Sequence, residues 1–353
     1  MALLGLNSAF WRERRVFLTG HTGFKGGWLS VWLNMLNARV HGFALEPSTR
    51  PALFEIARIR TLLATHDVAD IRDSATLLEA MTRASPEVVF HLAAQPLVRE
   101  SYRTPVETFA TNVMGTVHLL EAVRRVPSVR AVVVITSDKC YANLETGNAY
   151  VESDALGGRD PYSASKACTE LATQAWQTSF LSSRVGIATA RAGNVIGGGD
   201  WAQDRLVPDA LRAWEQGESL RVRSPSAVRP WQHVLEPLLG YLKLAEHLFH
   251  GNAAEAWNFG PDASDMVSVG VLLDRLAKRW GEDATWVSDE GNHPHEAGLL
   301  HLDSGKARSR LNWVPRWSLD VALDHVVGWH RAYLAGDDML RRCESDIEFY
   351  LTP

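Results

Sequence analysis

The chain has 353 residues, with 36 Lys+Arg against 41 Asp+Glu for a formal charge of −5, and 46% hydrophobic residues. That length predicts one or two domains with a core large enough to need neither disulfides nor a structural metal. The slight acidity and the lack of a basic tract argue against a nucleic-acid binder, and no run approaches the roughly 18 apolar residues of a membrane span.

The apolar opening MALLGLNSAFW lacks a basic region and a small-residue cleavage site, so it reads as a soluble start. Residues 16–19 (VFLT) read as a buried strand that runs into a glycine-rich turn. Residues 26–37 follow as a helix with Trp28, Val31, Trp32 and Met35 on one face. Further strands are predicted at 39–45, 87–92 and 131–135 (AVVVI), with helical patterns between them, as at 106–123. Strands separated by helices imply βαβ units and a parallel sheet, and continuous apolar strands fit a sheet covered on both faces. After about residue 191 the pattern changes. Gly197-Gly198-Gly199 and Pro208, Pro225, Pro230 and Pro237 punctuate shorter elements. The expectation is an α/β chain: a doubly wound, Rossmann-type dinucleotide domain over 1–192 and a smaller C-terminal substrate domain over 193–353, with segments near 229–262 returning to the first. Thirteen Trp suggest large aromatic surfaces in a core or pocket. Cys140, Cys168 and Cys343 make no disulfide framework and fit a reducing, cytoplasmic setting.

The turn GHTGFKG, residues 20–26, has the spacing G-x-x-G-x-x-G between a strand and a helix. Glycines there permit a tight turn and close approach of a pyrophosphate to the helix N-terminus, and no G-K-[ST] supports a P-loop instead. The second strand puts Ala44 where a ribose-binding acid is expected, with Glu46 two residues late. Glu46 is either that acid or a solvated loop charge, and Arg50 could meet a 2′-phosphate, so NAD and NADP both stay open here. Asp70-Ile71-Arg72-Asp73, beyond a short third strand, holds an adenine edge or caps a helix.

Tyr162 and Lys166 form Y-x-x-x-K on one helix face, with Pro161 suited to the first helical position. The cation is expected to favour phenolate and make Tyr162 a base. The strand AVVVI ends in Thr136-Ser137-Asp138-Lys139, at the sheet edge where ligands bind in such folds. Cys140 beside it reads as a small packing residue.

These motifs, with HLAA at 91–94, resemble those of the extended short-chain dehydrogenase/reductases. GHTGFKGGWL, HLAAQPLVRESY, TSDKCY, GGRDPYSASK, RAGNVIGGGDWAQDRLVPD, RPWQHVLEPLLGYL, WNFGP and HEAGLLHLDSGKARSRLNWVP are similar to the CDP-D-glucose 4,6-dehydratases within them. The resemblance spans nearly the whole chain; the DK pair, the GGGDW stretch and RPWQHV are its specific parts. It implies an NAD-dependent lyase acting on a nucleotide sugar, CDP-glucose, as a homodimer or homotetramer built on helices near 105–126 and 162–180. Oxidation at C4 acidifies the C5 proton, elimination of the 6-hydroxyl follows, and hydride returns to C6, with no net use of NAD. The implied cofactor site is Gly20, His21, Thr22, Gly23, Phe24, Lys25, Asp70, Ile71, Leu92, Ala93, Ala94, Gln95, Asn112, Thr136, Tyr162 and Lys166. The implied substrate site is Gln95, Ser137, Asn194, Arg205 and Arg229, the two arginines being phosphate ligands or, alternatively, surface ion pairs. Among the catalytic residues, Tyr162 takes the 4-hydroxyl proton, Lys166 holds the nicotinamide ribose, Ser137 hydrogen-bonds O4 and Asp138 protonates the leaving hydroxyl. The dTDP-glucose enzymes carry Asp-Glu where this chain has Asp138-Lys139, so Lys139 is expected to be the C5 base. It must then be neutral part of the time, which burial and the Lys166 cation would favour; an ion pair with Asp138 is its bland alternative.

Trp201, Trp231, Tyr141 and His233 read equally as pocket or core. His293-Pro294-His295-Glu296 lacks metal-site spacing, and no metal is expected. The alternatives are another nucleotide-sugar 4,6-dehydratase (dTDP-glucose or GDP-mannose), a 4-epimerase, or, from another class, a non-catalytic dinucleotide sensor. The Asp-Lys pair argues against the epimerase, and the retained Tyr and Lys argue against the sensor.

Overall fold

The computed structural model describes residues 5–143, 147–289, 291 and 300–352. Its central sheet has seven strands: β1 (Arg15–Thr19), β2 (Arg39–Ala44), β3 (Thr65–Val68), β4 (Val88–His91), β5 (Ala131–Ile135), β6 (Gly186–Ala192) and β7 (Ala256–Phe259). The order across the sheet is β3-β2-β1-β4-β5-β6-β7, and every pairing is parallel. The direction of winding reverses between β1 and β4, which opens a crevice at the carboxyl ends of those strands.

The strands alternate their side chains between two apolar layers, as a period of two requires. Val16, Leu18, Val88, Phe90 and Val133 join one core, while Phe17, Val89, Val132 and Val134 join the other. The second layer is completed by α2 (Ser74–Ala84) and α3 (Gly115–Arg125). The first is completed by α1 (Phe24–Met35), α6 (Leu235–Phe249) and α9 (Met339–Leu351). The predicted helix at 106–123 is interrupted: a π-helical turn, Ala110–Met114, separates Pro105–Phe109 from α3. The hydroxyls of Thr116 and Thr169 both donate to the Asn112 carbonyl, at 2.7 and 2.9 Å, and draw it out of the helical ladder.

α4 (Pro161–Trp176) carries the Y-x-x-x-K pair. Its Asp160 N-cap accepts from the Ser163 backbone at 2.9 Å, and Pro161 takes the first helical position. A third apolar cluster gathers α5 (Leu206–Glu215), α7 (Val269–Trp280) and α8 (Leu319–Ala335) around Trp214, Leu220, Leu273 and Leu323. Between α6 and α7 the chain returns to the sheet: β7 pairs with β6, Trp257 opposite Ala190. α9 lies on α1, with Tyr350 edge-on to Trp32 at 5.7 Å. The buried Glu236 of α6 ties this corner together by accepting from the Trp317 backbone at 2.8 Å and the Tyr350 hydroxyl at 2.7 Å.

The tryptophans are mostly core: Trp11, Trp28, Trp32, Trp257, Trp313 and Trp329 are fully buried. Among the described residues no helix is long and apolar enough to cross a membrane, and no group of three His, Cys, Asp or Glu side chains could hold a metal ion. His293–Glu296 lie outside the described residues.

Candidate active site

The crevice deepens into a cavity of about 860 Å³ that runs from the glycine turn, past the end of β5, to α5. That is at the upper end of the range for ligand pockets. Two positions of the turn at its near end tolerate no side chain. Gly20 has φ +76°, and a Cβ there would lie 2.7 Å from the Ala93 nitrogen. A Cβ on Gly26 would lie 2.1 Å from the Gly20 carbonyl. The backbone therefore closes on itself and presents the start of α1 to the crevice, with Gly23 as N-cap. Thr22, Phe24, Lys25, Glu46, Asp70, Ile71, Leu92, Ala93 and Ala94 continue the wall. Glu46 lines it; Arg50 does not. Asp70 is gripped by Arg72 at 2.6 Å, and Asp73 of the same stretch caps α2.

Three of the residues assigned to ligands face elsewhere. The His21 ring packs beneath the turn, 2.7 Å from the ring nitrogen of His66, and burial holds it neutral with a pKa of about 3. Gln95 folds back on its own loop, accepting from the Leu97 backbone at 2.6 Å and donating to Thr108 at 2.9 Å. Asn112 is buried and clamps that loop to α4, accepting from the Gln95 backbone at 2.8 Å and donating to the Ser165 hydroxyl at 2.9 Å. Each is one link removed from the cavity: the motif carries them, but their hydrogen bonds go to the scaffold.

At the end of β5 the chain turns out of the sheet through Ser137, Asp138 and Lys139. The Ser137 hydroxyl donates to Asp138 Oδ1 at 2.9 Å and accepts from the Lys139 backbone at 3.2 Å. The Ser137 hydroxyl also acts on the Tyr162 phenol, opposing the rise in its pKa. Asp138 is buried, and burial raises its carboxyl above the usual range against the opposing pull of Lys139, Ser137, Arg229 and Lys25. Tyr162 departs from expectation. Burial pushes its phenol up to about 12. Lys166, whose ammonium donates to the Ile135 carbonyl at 3.2 Å, does not offset this. The cation nearest in effect on the phenol is Arg205, itself paired with Asp200 at 2.8 Å. Burial lowers Lys166 to about 8 and Lys25 to about 7, with Arg205 and Lys166 adding to the effect on Lys25.

Asn194, Arg205, Arg229 and Trp231 line the far part of the cavity, whereas Trp201 packs on Trp329 and His233 on Trp317. Cys140 is fully buried, and burial pushes its thiol up, as suits packing.

A buried brace under the site was not singled out from sequence. Glu170 lies one turn beyond Lys166 and accepts from Thr136 at 2.5 Å, Thr189 at 2.6 Å and Arg191 at 2.8 and 2.9 Å. Arg191 in turn donates to Tyr141 at 2.7 Å. The spacing of four from Lys166 was the available signal. Breaking such a pair strands a buried guanidinium, so Glu170→Leu should lower stability by about 3–5 kcal/mol. Thermal unfolding monitored by circular dichroism should show a drop on the order of 5–10 °C.

The family model described as GDP-mannose 4,6 dehydratase matches residues 17–326. A CDP-glucose 4,6-dehydratase of Salmonella typhimurium is 50% identical over 98% of this chain and 99% of its own length. A dTDP-glucose 4,6-dehydratase of Neisseria gonorrhoeae is 26% identical over 74% of this chain and 79% of that protein. Among solved structures, a dTDP-glucose 4,6-dehydratase from Bacillus anthracis in complex with NAD superposes with a TM-score of 0.77 at 19% identity, covering 93% of this chain and 99% of the other. On the full-length match to the Salmonella protein and a family model reaching from β1 into α8, the chain belongs to the GDP-mannose 4,6 dehydratase family.

Proposed function

We propose that this chain is a lyase that converts CDP-D-glucose to CDP-4-keto-6-deoxy-D-glucose and water, with NAD restored in every cycle. The observation that carries the reading is the group at the end of β5: a buried Asp138 whose carboxyl is raised above its usual range, hydrogen-bonded to Ser137, beside Lys139 and Tyr162 in one cavity. The cytosine base rests on the half-identical relative.

The residues present fit a dinucleotide. Gly20 and Gly26 let the turn close on its own backbone, which presents the N-terminus of α1 to the crevice, where a pyrophosphate is favoured. Glu46 on the wall suits ribose hydroxyls and repels a 2′-phosphate, which supports NAD over NADP. NAD would lie along Gly20–Lys25, Glu46, Asp70–Ile71, Leu92–Ala94 and Lys166, and it supplies an acceptor for hydride from C4 and a donor to C6. Tyr162 takes the proton of the 4-hydroxyl while Ser137 holds O4. With C4 a ketone, Lys139 takes the C5 proton and Asp138 protonates the departing 6-hydroxyl as water. The two protons gained, at Tyr162 and Lys139, balance the one given to water and the one returned to C5. Asn194, Arg205 and Arg229 hold the substrate diphosphate, Arg being suited to bidentate phosphate contact.

Residues 1–192 form the cofactor unit and residues beyond 193 mainly the substrate unit in this reading, supported by the far cavity wall lying at 193–231. A cytoplasmic homodimer is the accompanying reading, supported by free cysteines and by Phe109, Met114, Leu171 and Phe180, exposed along the helices around α3 and α4.

The test is incubation with NAD and, separately, CDP-glucose, dTDP-glucose and GDP-mannose, with product masses recorded. Loss of one water from CDP-glucose alone is expected. Loss from a different sugar nucleotide would overturn the base, and an isomer of unchanged mass would replace dehydration by epimerisation.

A further inference from the structure

The cavity offers a place for the nucleoside of the substrate in its far lobe. Its near arm, from the glycine turn to Asp70, belongs to the dinucleotide, and its middle, at Ser137 to Lys139 and Tyr162, must hold the reacting sugar. The far lobe lies beyond Arg205. Val207, Leu220, Val222 and Trp231, members of one apolar cluster, wall that lobe, and Asp209 in the first turn of α5 opens onto it. A flat ring can lie against such a wall; the carboxylate is then the polar group at its edge. Asp209 Oδ1 accepts from Arg212 at 3.1 Å, while its Oδ2 accepts from no described residue.

We infer that Asp209 reads the base, its open oxygen accepting from the exocyclic amine of cytosine and rejecting the carbonyl that uracil and thymine carry at the same position. The inference rests on the CDP-sugar reading above and supplies it with a side chain. Its logic is that of donor and acceptor patterns: cytosine presents N4–H where the other pyrimidines present O4, and a carboxylate can only accept. Burial pushes the Asp209 carboxyl up to about 6, with Asp204 and Asp200 adding to the effect and Arg212 opposing it. The carboxylate form therefore holds at pH 8, where the comparison is made. An amide in its place can turn its NH₂ toward O4.

The experiment measures binding of CDP and UDP by calorimetry at pH 8, with kcat/KM for CDP-glucose and UDP-glucose beside it, for wild type and Asp209→Asn. Wild type should favour cytosine by ~10-fold or more in both readouts, and Asp209→Asn should narrow the ratio to about threefold or less, chiefly by gaining affinity for UDP. A ratio unchanged by the substitution, whether activity is kept or lowered for both, overturns the assignment. Calorimetry answers even where turnover is lost, and Asp209→Ser serves the same comparison should the Asn variant not fold. If wild type dehydrates no CDP-glucose, the functional reading itself fails, and that result is separate from the ratio.

Discussion

Tyr162→Phe is expected to lower dehydration of CDP-glucose by ~10²–10⁴-fold, the range for removing a positioned general base. The ring stays, so the core around it keeps its volume; only the hydroxyl that meets Ser137 goes. The structure adds a pH signature. Burial holds the phenol at about 12, so near neutrality it keeps its proton in the absence of ligands. A base must be deprotonated to act, so wild-type turnover should rise with pH through the neutral and alkaline range. The Phe variant should lose that rise. Initial rates measured by mass across a pH series check both points, and near-normal turnover by the variant would remove Tyr162 from the first step.

Lys139→Ala should separate the two halves of the reaction. With Tyr162 and Ser137 intact, oxidation at C4 proceeds, while loss of water falls by ~10²–10⁴-fold for want of a C5 base. Reduced cofactor should therefore accumulate without a dehydrated product, a pattern read from absorbance and mass in the same sample. Lys139→Glu should recover part of the elimination, because a carboxylate at this position is what the dTDP-glucose enzymes are expected to use. Full dehydration by the Ala variant would make Lys139 merely an ionic partner of Asp138.

The architecture was largely legible because its signals are local. VFLT, AVVVI and the glycine spacing report burial and turn geometry through neighbours in sequence, and each of the four strands given bounds fell within a residue or two of its predicted place. The π-helical turn at Ala110–Met114 was not legible, since it depends on a hydroxyl from Thr169 in another helix. Within the site, the Ser137–Lys139 and Tyr162–Lys166 groups could be named from motifs. The electrostatic expectation for Tyr162 could not hold, because spacing reports that Lys166 is near but not that its ammonium turns to the Ile135 carbonyl. Gln95 and Asn112 show the same limit from the other side: a motif fixes that a residue matters near a ligand, while only packing decides whether it touches the ligand or the loop that does. Glu170 went unread because its partners come from distant parts of the chain, Thr136 just past the end of β5 and Thr189 and Arg191 from β6.

The helix α9 resting on α1 bears on the order in which the site is built during synthesis. β1 and the glycine turn emerge from the ribosome early, yet the Trp32 face of α1 is covered by Tyr350, and Glu236 waits for that same tyrosine. β7 too joins β6 only after the whole first half has been made. The nascent chain must therefore carry an unfinished sheet edge and a bare aromatic helix face for most of its translation, the kind of surface that invites chaperones. The glycine turn, made before α6, β7 and α9, gains its final support only after them.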